Sequence, residues 1–298
     1  MTRADALASL QEFAEIIESN VPLGPFTQLK LGGPAEVLAR PRSVTELTAL
    51  VKRCQEREIP FRVLGGGGNL LIREEGVRGV VIYLGTPAFA QVTVQGNRVR
   101  AGCGAALENL IAAAVRHGLA GLETLAGRPG TVGGALRNNA GERAGEIGQY
   151  VRCVEVLDSA GQVHLRDKDE LRFHYLGSNL DDPVLLAADF ELDPENRDVL
   201  IKRLRKAWIL RKAHEPYSFQ ASGRLFKNPP GLSASALIEQ AGLVGAKVGS
   251  AQVSDRDANH VVVDEGGTAR DVLRLVDMVR TRVQDRFGVE LDLELSVW

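Results

Sequence analysis

Four consecutive glycines, Gly65–Gly68, interrupt the run Leu64-Gly65-Gly66-Gly67-Gly68-Asn69-Leu70-Leu71. No helix or strand interior tolerates such a run, because glycine carries the largest conformational entropy cost and offers no side chain to pack. A second segment repeats the theme: Leu125-Ala126-Gly127-Arg128-Pro129-Gly130-Thr131-Val132-Gly133-Gly134-Ala135. With 32 glycines in 298 residues, the chain exceeds the usual share of about 7%. Glycines at element ends let the backbone take positive φ and let several N–H groups converge on an anion, a nest for phosphate needing no Lys or Arg. Tight turns between closely packed backbones are the alternative reading of either loop alone. Neither segment continues into Gly-Lys-Ser/Thr, and neither fits G-x-G-x-x-G in a βαβ setting, which argues against a kinase, an ATPase or a Rossmann dehydrogenase. Asn138 and Asn139 extend the second loop with amides that suit either a ligand or their own backbone.

The surrounding pattern is mixed. An amphipathic helix is expected over residues 4–18, a strand over 36–40, a helix over 43–56 with Ser43 and Glu46 as a capping box, and a strand over 61–64 running into the glycines. Strands follow over 80–84, 91–95 and 98–101, the last two joined by Gly96-Asn97, a dipeptide suited to a tight hairpin. A helix over 106–117 stops at Gly118, with His117 placed to serve its C-terminus. A second hairpin, 153–157 with 162–165, and a strand over 184–192 close an α+β domain. Helices are expected over 197–212, 233–241 and 269–287. The division is an N-terminal helix (1–20), a main domain (21–196, subdomains about 21–85 and 86–196) and a C-terminal domain (197–298).

Charge and cysteines narrow the partners. The formal net charge is −2 with no long run of one sign, so nothing suggests a surface for nucleic acid or anionic lipid, and a small-molecule partner is expected. Cys54, Cys103 and Cys153 are too few and too widely spaced for a disulfide framework or a zinc site; they read as reduced core thiols. His117, His164, His174, His214 and His260 show no metal-ligand spacing, and no metal is expected. The N-terminus carries Asp5, Glu12 and Glu15 without an apolar core, so neither a signal peptide nor a membrane span is expected there and the protein should stay in the cytoplasm; a monomer is also expected.

The segments TQLKLGGPAEVLARPRSVTEL, VLGGGGNLLI, GLETLAGRPGTVGGALRNNAGERAGEIG, RLFKNPPGLSASALIEQAGL and GSAQVSDRDANHVVV occur in an order that resembles the UDP-N-acetylenolpyruvoylglucosamine reductases, from about residue 21 to 298. The resemblance implies an α+β protein with a vanillyl-alcohol-oxidase-like FAD-binding domain of two subdomains and a C-terminal α+β substrate domain. The short segment after Tyr175 fits the type without the extra substrate loop. It also implies non-covalent FAD, NADPH as reductant, and reduction of UDP-N-acetylglucosamine enolpyruvate to UDP-N-acetylmuramate. Cofactor-binding residues carried over are Gly65, Gly66, Gly67, Gly68, Asn69, Gly127, Gly130, Thr131, Gly133, Gly134 and Asn139. Substrate-binding residues are Tyr175, Lys227, Asn228, Gln252 and Asn259.

The chain departs from the family where the chemistry sits. The family's catalytic Arg follows Tyr in Phe-x-Tyr-Arg-x-Ser, whereas this chain reads Phe173-His174-Tyr175-Leu176-Gly177-Ser178. The family's Ser or Cys before Phe-Lys-Asn-Pro is Arg224, a group that stays protonated and makes a poor proton donor. Glu294 stands where the family's Glu stands, and the His usual before Ala-Asn is Asp257. Two readings follow. Either the site is rearranged, with Arg224 supplying the positive charge and Ser222 or water the proton, or the chain is a flavoprotein of the same fold with lost or changed activity.

Overall fold

The structure, a computed structural model, describes residues 10–142, 145–217 and 219–298. By internal contacts it divides into two units. Unit 1 takes the described residues up to Val21, Ala35–Gly66 and Arg78–Leu210; unit 2 takes Pro22–Pro34, Gly67–Val77 and Arg211–Trp298.

Unit 1 contains two sheets. The first has the order β1 (Ile17–Pro22), β2 (Pro34–Ala39), β4 (Val77–Tyr83), β3 (Phe61–Leu64), with β3 and β4 parallel from Phe61↔Val80 to Leu64↔Tyr83. Helix α1 (Val44–Glu56) connects β2 to β3. Leu47, Leu50, Val51 and Cys54 recur at helical spacing and are fully buried. Each buried side chain of that size contributes about 1.5–3 kcal/mol. Ser43 caps α1 by accepting from the Glu46 N–H at 3.1 Å. The Glu46 carboxylate reaches one residue further back than a capping box would, accepting from the Arg42 N–H at 2.7 Å.

The N-terminal helix differs from expectation. Residues 1–9 lie outside the described residues, and from there on the chain makes one 3-10 turn, Gln11–Phe13, before entering β1. Leu10, Phe13 and Ile16 do carry a helix-like spacing and are buried, but the β-branched Ile17 and Val21 are recruited to lengthen the sheet.

The second sheet of unit 1 is antiparallel, built from β5 (Val92–Gln95), β6 (Arg98–Gly102), β7 (Val151–Leu157), β8 (Val163–Asp167) and β9 (Val184–Glu191) in the order β8-β7-β9-β6-β5. Gly96, at φ +62°, makes the β5–β6 turn. Val99, Ala101, Val154, Val156, Ala188 and Phe190 form a core with Leu110, Ile111 and Ala114 of α2 (Leu107–Arg116). The His117 ring bonds the Ala113 carbonyl at 2.8 Å through Nδ1, tying down the C-terminus of α2. A short helix, α3 (Val132–Arg137), not expected from the glycine-rich sequence, is capped by Thr131. Helix α4 (Arg197–His214) follows the second sheet.

Unit 2 holds a four-stranded antiparallel sheet of β10 (Ala221–Arg224), β11 (Lys247–Val248), β12 (Ala251–Val253) and β13 (His260–Val263), ordered β10-β13-β12-β11. Helices α5 (Ala234–Gln240) and α6 (Ala269–Phe287) belong to the same unit. Ala251, Val253, Val261 and Val263 share a core with Val272, Leu275, Val276 and Val279 of α6. Residues Ser296–Val297 pair in parallel with Leu70–Leu71, close to the end of the glycine run. Mixed helix and strand throughout both units make this an α+β protein.

Candidate active site

In unit 1, the end of β3 runs against the loop before α3 with no room for side chains. A Cβ on Gly65 would lie 2.5 Å from Thr131 Oγ1, and one on Gly66 would lie 2.8 Å from Gly130 Cα. Gly127 and Gly130 take φ of +83° and +113°. Among the described residues, no protein group accepts from the N–H of Gly65, Gly66, Gly130 or Thr131. Closely apposed strands of backbone with unspent donors form the kind of concavity that receives a diphosphate.

The rest of the second loop is spent on the protein itself. The N–H groups of Val132 and Gly133 donate to the carbonyls of Ala105 and Cys103, at 2.9 and 2.8 Å. A Cβ on Gly133 would sit 3.1 Å from Cys103, so this glycine is there for close packing. The Gly134 N–H reaches only the Thr131 hydroxyl, at 3.5 Å. Asn139, 1% exposed at φ +43°, donates to Glu146 Oε2 (2.7 Å) and the His174 carbonyl (3.0 Å) and accepts from the Gly148 N–H (3.1 Å). Its side chain braces the loop from within. Tyr175 and Leu176 form the two-residue turn between Phe173–His174 and Gly177–Ser178; Tyr175 is exposed and Leu176 has φ +53°.

In unit 2, Gly67 takes φ +56°, and a Cβ there would be 2.1 Å from the Phe26 carbonyl oxygen. The Asn69 side chain then makes a specific connection: its Oδ1 accepts from the Arg224 N–H at 2.9 Å, while its Nδ2 is buried without a protein acceptor. A buried donor left over in this way costs about 1–3 kcal/mol unless a ligand takes it.

The sheet of unit 2 presents a polar face. Because side chains alternate along a strand, the residues between the core valines point the other way. Ser222, Val262 and Gln252 stand in one cross-strand row, and Arg224 and His260 in the next. Arg224 Nε lies 3.0 Å from Glu294 Oε2, an ion pair that falls short of hydrogen-bond alignment. The two side chains are 31% and 20% exposed, so the pair is sheltered but reachable. Glu294 is held by its own N–H, which donates to the Leu225 carbonyl at 2.9 Å.

The other expected substrate residues divide by what they touch. Asn259 is 1% exposed and clamps Phe226 at both backbone groups, Oδ1 to N–H at 2.9 Å and Nδ2 to the carbonyl at 2.7 Å. Asn228 accepts from the Ala234 N–H at 3.0 Å and so helps start α5. Lys227 and Gln252 are half-buried, and neither side chain forms an ion pair or hydrogen bond with the described residues.

One grouping escaped the sequence reading. His260 Nδ1 meets Asp257 Oδ2 at 2.9 Å, while Asp257 Oδ1 accepts from the Ser235 hydroxyl (2.6 Å) and the Asn259 N–H (2.9 Å). Burial alone would raise the Asp257 carboxyl, but the hydrogen bonds from His260, Ser235 and Asn259 hold it well below the usual carboxylate range. The signal in the sequence is Asp-x-x-His at the entry to a valine strand, a spacing that matches no familiar motif. Among the described residues no group of His, Cys, Asp and Glu is placed to hold a metal ion.

Known proteins resemble this chain over most of its length. Residues 35–165 match the FAD binding domain, and residues 215–298 match the C-terminal domain of UDP-N-acetylenolpyruvoylglucosamine reductase. The UDP-N-acetylenolpyruvoylglucosamine reductase of Heliobacterium modesticaldum is 42% identical over 93% of this chain and 88% of its own length. The chain belongs to the UDP-N-acetylenolpyruvoylglucosamine reductase family. The crystal structure of the Thermus caldophilus reductase superposes with a TM-score of 0.81 at 37% identity, covering 95% of this chain and 98% of that one. A grass pollen allergen with glucose dehydrogenase activity, 13% identical with a TM-score of 0.52 over 96% of this chain and 63% of its own, shares the fold alone. FAD, the ligand named by the matched FAD binding domain, carries a diphosphate of the kind that the unspent amides of Gly65, Gly66, Gly130 and Thr131 in unit 1 fit.

Proposed function

We propose that this chain is an FAD-dependent reductase that converts UDP-N-acetylglucosamine enolpyruvate and NADPH, with one proton, to UDP-N-acetylmuramate and NADP+. The observation that carries the proposal is that relatives named for this activity run the length of the chain, through both the glycine loops and the polar face. FAD, when bound, would supply the two-electron redox chemistry that links NADPH to the enolpyruvyl double bond. The chain's own residues bind, orient and neutralise. The amides of Gly65, Gly66, Gly130 and Thr131 would hold the diphosphate, and Gly67, Gly68 and Asn69 would be flavin-binding residues of unit 2. Reduction of one alkene carbon leaves carbanion or enolate character on the other, which needs a fixed positive charge. Arg224 supplies it, replacing the arginine that Leu176 cannot provide, and Glu294 fixes the guanidinium in place. Tyr175, Lys227 and Gln252 contact the nucleotide sugar, while Asn228 and Asn259 shape the loop that carries Lys227.

We further propose a monomer acting in the cytoplasm on small molecules, without nucleic acid or membrane. No helix among the described residues is long and apolar enough to cross a membrane. The test is anaerobic NADPH oxidation by FAD-loaded protein with and without UDP-N-acetylglucosamine enolpyruvate, with the product identified. Substrate-dependent oxidation yielding UDP-N-acetylmuramate is expected. Flavin reduction without that product would leave the fold standing and overturn the function.

A further inference from the structure

Arg224 accounts for charge but leaves the proton unassigned, since a guanidinium does not give one up in a protein. Three other groups share its side of the unit 2 sheet or its ion pair. Glu294 Oε2 is engaged by Arg224. Ser222 is 3% exposed, too enclosed to be recharged directly by water. His260 is Arg224's direct cross-strand partner, which sets their Cβ atoms about 4.5–5.5 Å apart on one face. Its ring is held through Nδ1 by Asp257, itself fixed by Ser235 and the Asn259 N–H. A carboxylate on Nδ1 selects the tautomer and orients the ring, leaving Nε2 as the nitrogen that exchanges protons. Nε2 meets no protein partner among the described residues and is not sealed, the side chain being 12% exposed.

We propose that His260, oriented by Asp257, delivers the proton that completes the reduction; this rests on the reductase reading above. The Nε2–H bond breaks and its electron pair stays on the ring. The electron pair on the substrate carbon forms the new C–H bond, and the neutral imidazole regains a proton from water. The charged and titratable groups around the ring are Asp257 on its own turn, Arg224 and then Glu294 across the strand, and Glu239 beyond Ser235 on α5.

The experiment separates the two half-reactions. Enzyme reduced by NADPH is mixed anaerobically with UDP-N-acetylglucosamine enolpyruvate, and flavin reoxidation is followed against pH. In the wild type the rate should fall as pH rises. His260→Gln should slow reoxidation about 10²- to 10⁴-fold and abolish that limb, while flavin reduction by NADPH stays within about twofold. His260→Phe is the second variant, with FAD content and circular dichroism checking the fold of both. Without any turnover, a long-range 1H–15N spectrum of the neutral ring should show the proton on Nδ1, and Asp257→Asn should disperse it between the nitrogens. Reoxidation within twofold of wild type in both His260 variants, with loss in Ser222→Ala, would overturn the assignment alone. A wild type not reoxidised by this substrate at all would overturn the reductase reading and the assignment with it.

Discussion

The Gly66 position argues for how little tolerance the cradle has. A Cβ there would press to 2.8 Å on the Gly130 backbone, which cannot rotate away as a side chain can. Gly66→Ala should therefore weaken FAD binding at least about tenfold and cost about 1–3 kcal/mol of stability, as read by flavin fluorescence titration and urea unfolding. Gly96→Ala is the control: its φ of +62° makes it strained by about 1–2 kcal/mol, but nothing lies within 4 Å and flavin affinity should not change. At Arg224 the geometry favours a rearranged site over a decayed one. Its guanidinium meets Glu294, whereas Leu176 sits in a hairpin turn at φ +53°. Arg224→Ser should lower kcat by about 10²-fold, and adding Leu176→Arg should not restore it. Recovery in the double variant would mean that the original arrangement still operates.

At the level of elements, the loop carrying Phe226 and Lys227 depends on Asn259, which imitates a strand partner by bonding both backbone groups of Phe226. Asn259→Ala leaves a buried N–H and C=O unpaired and should cost about 2–4 kcal/mol in urea unfolding. Elements with a strong period and clear punctuation were legible in the sequence. Helix α1 with its Ser43 cap, strand β3, the Gly96 hairpin and helix α6 all lie where spacing and turn chemistry put them. Those that failed were decided by tertiary demand. Helix α3 opens with Gly133 and Gly134, poor helix formers that are kept because the turn packs against Cys103. Strand β1 carries a helix-like apolar spacing just before it, yet pairs at a sheet edge. In the site, the glycine loops announced themselves by composition. The Arg224–Glu294 pair required folding to bring together residues 70 positions apart, and Asp257–His260 was short-range but unmarked by any familiar motif.

For the whole molecule, the three cysteines lie buried and free. Burial pushes Cys54 up to about 11, Cys103 up to about 12 and Cys153 up to about 11, from an ordinary thiol value of 9.0. An unfolded thiol therefore ionises before a folded one, so their contribution to stability is intact below pH 9 and lost as pH climbs through the folded values. Unfolding free energy should fall above pH 9 by up to about 1 kcal/mol per pH unit for each thiol, and replacing all three with Ala should flatten that slope. A thiol reagent at pH 8 should react only as the protein unfolds.

Unit 2 is assembled from chain segments that are made at very different times. Leu29, Leu31 and Leu71 are buried among residues 225–297, yet residues 78–210 are synthesised in between. At ribosomal speeds that interval is roughly 7–27 s. Throughout it, apolar side chains destined for one core have no partners, and Leu70–Leu71 waits for Ser296–Val297 to pair with it. The segment that follows the glycine run is thus among the first parts translated and the last to be braced, and its apolar side chains stay exposed for the whole of that interval.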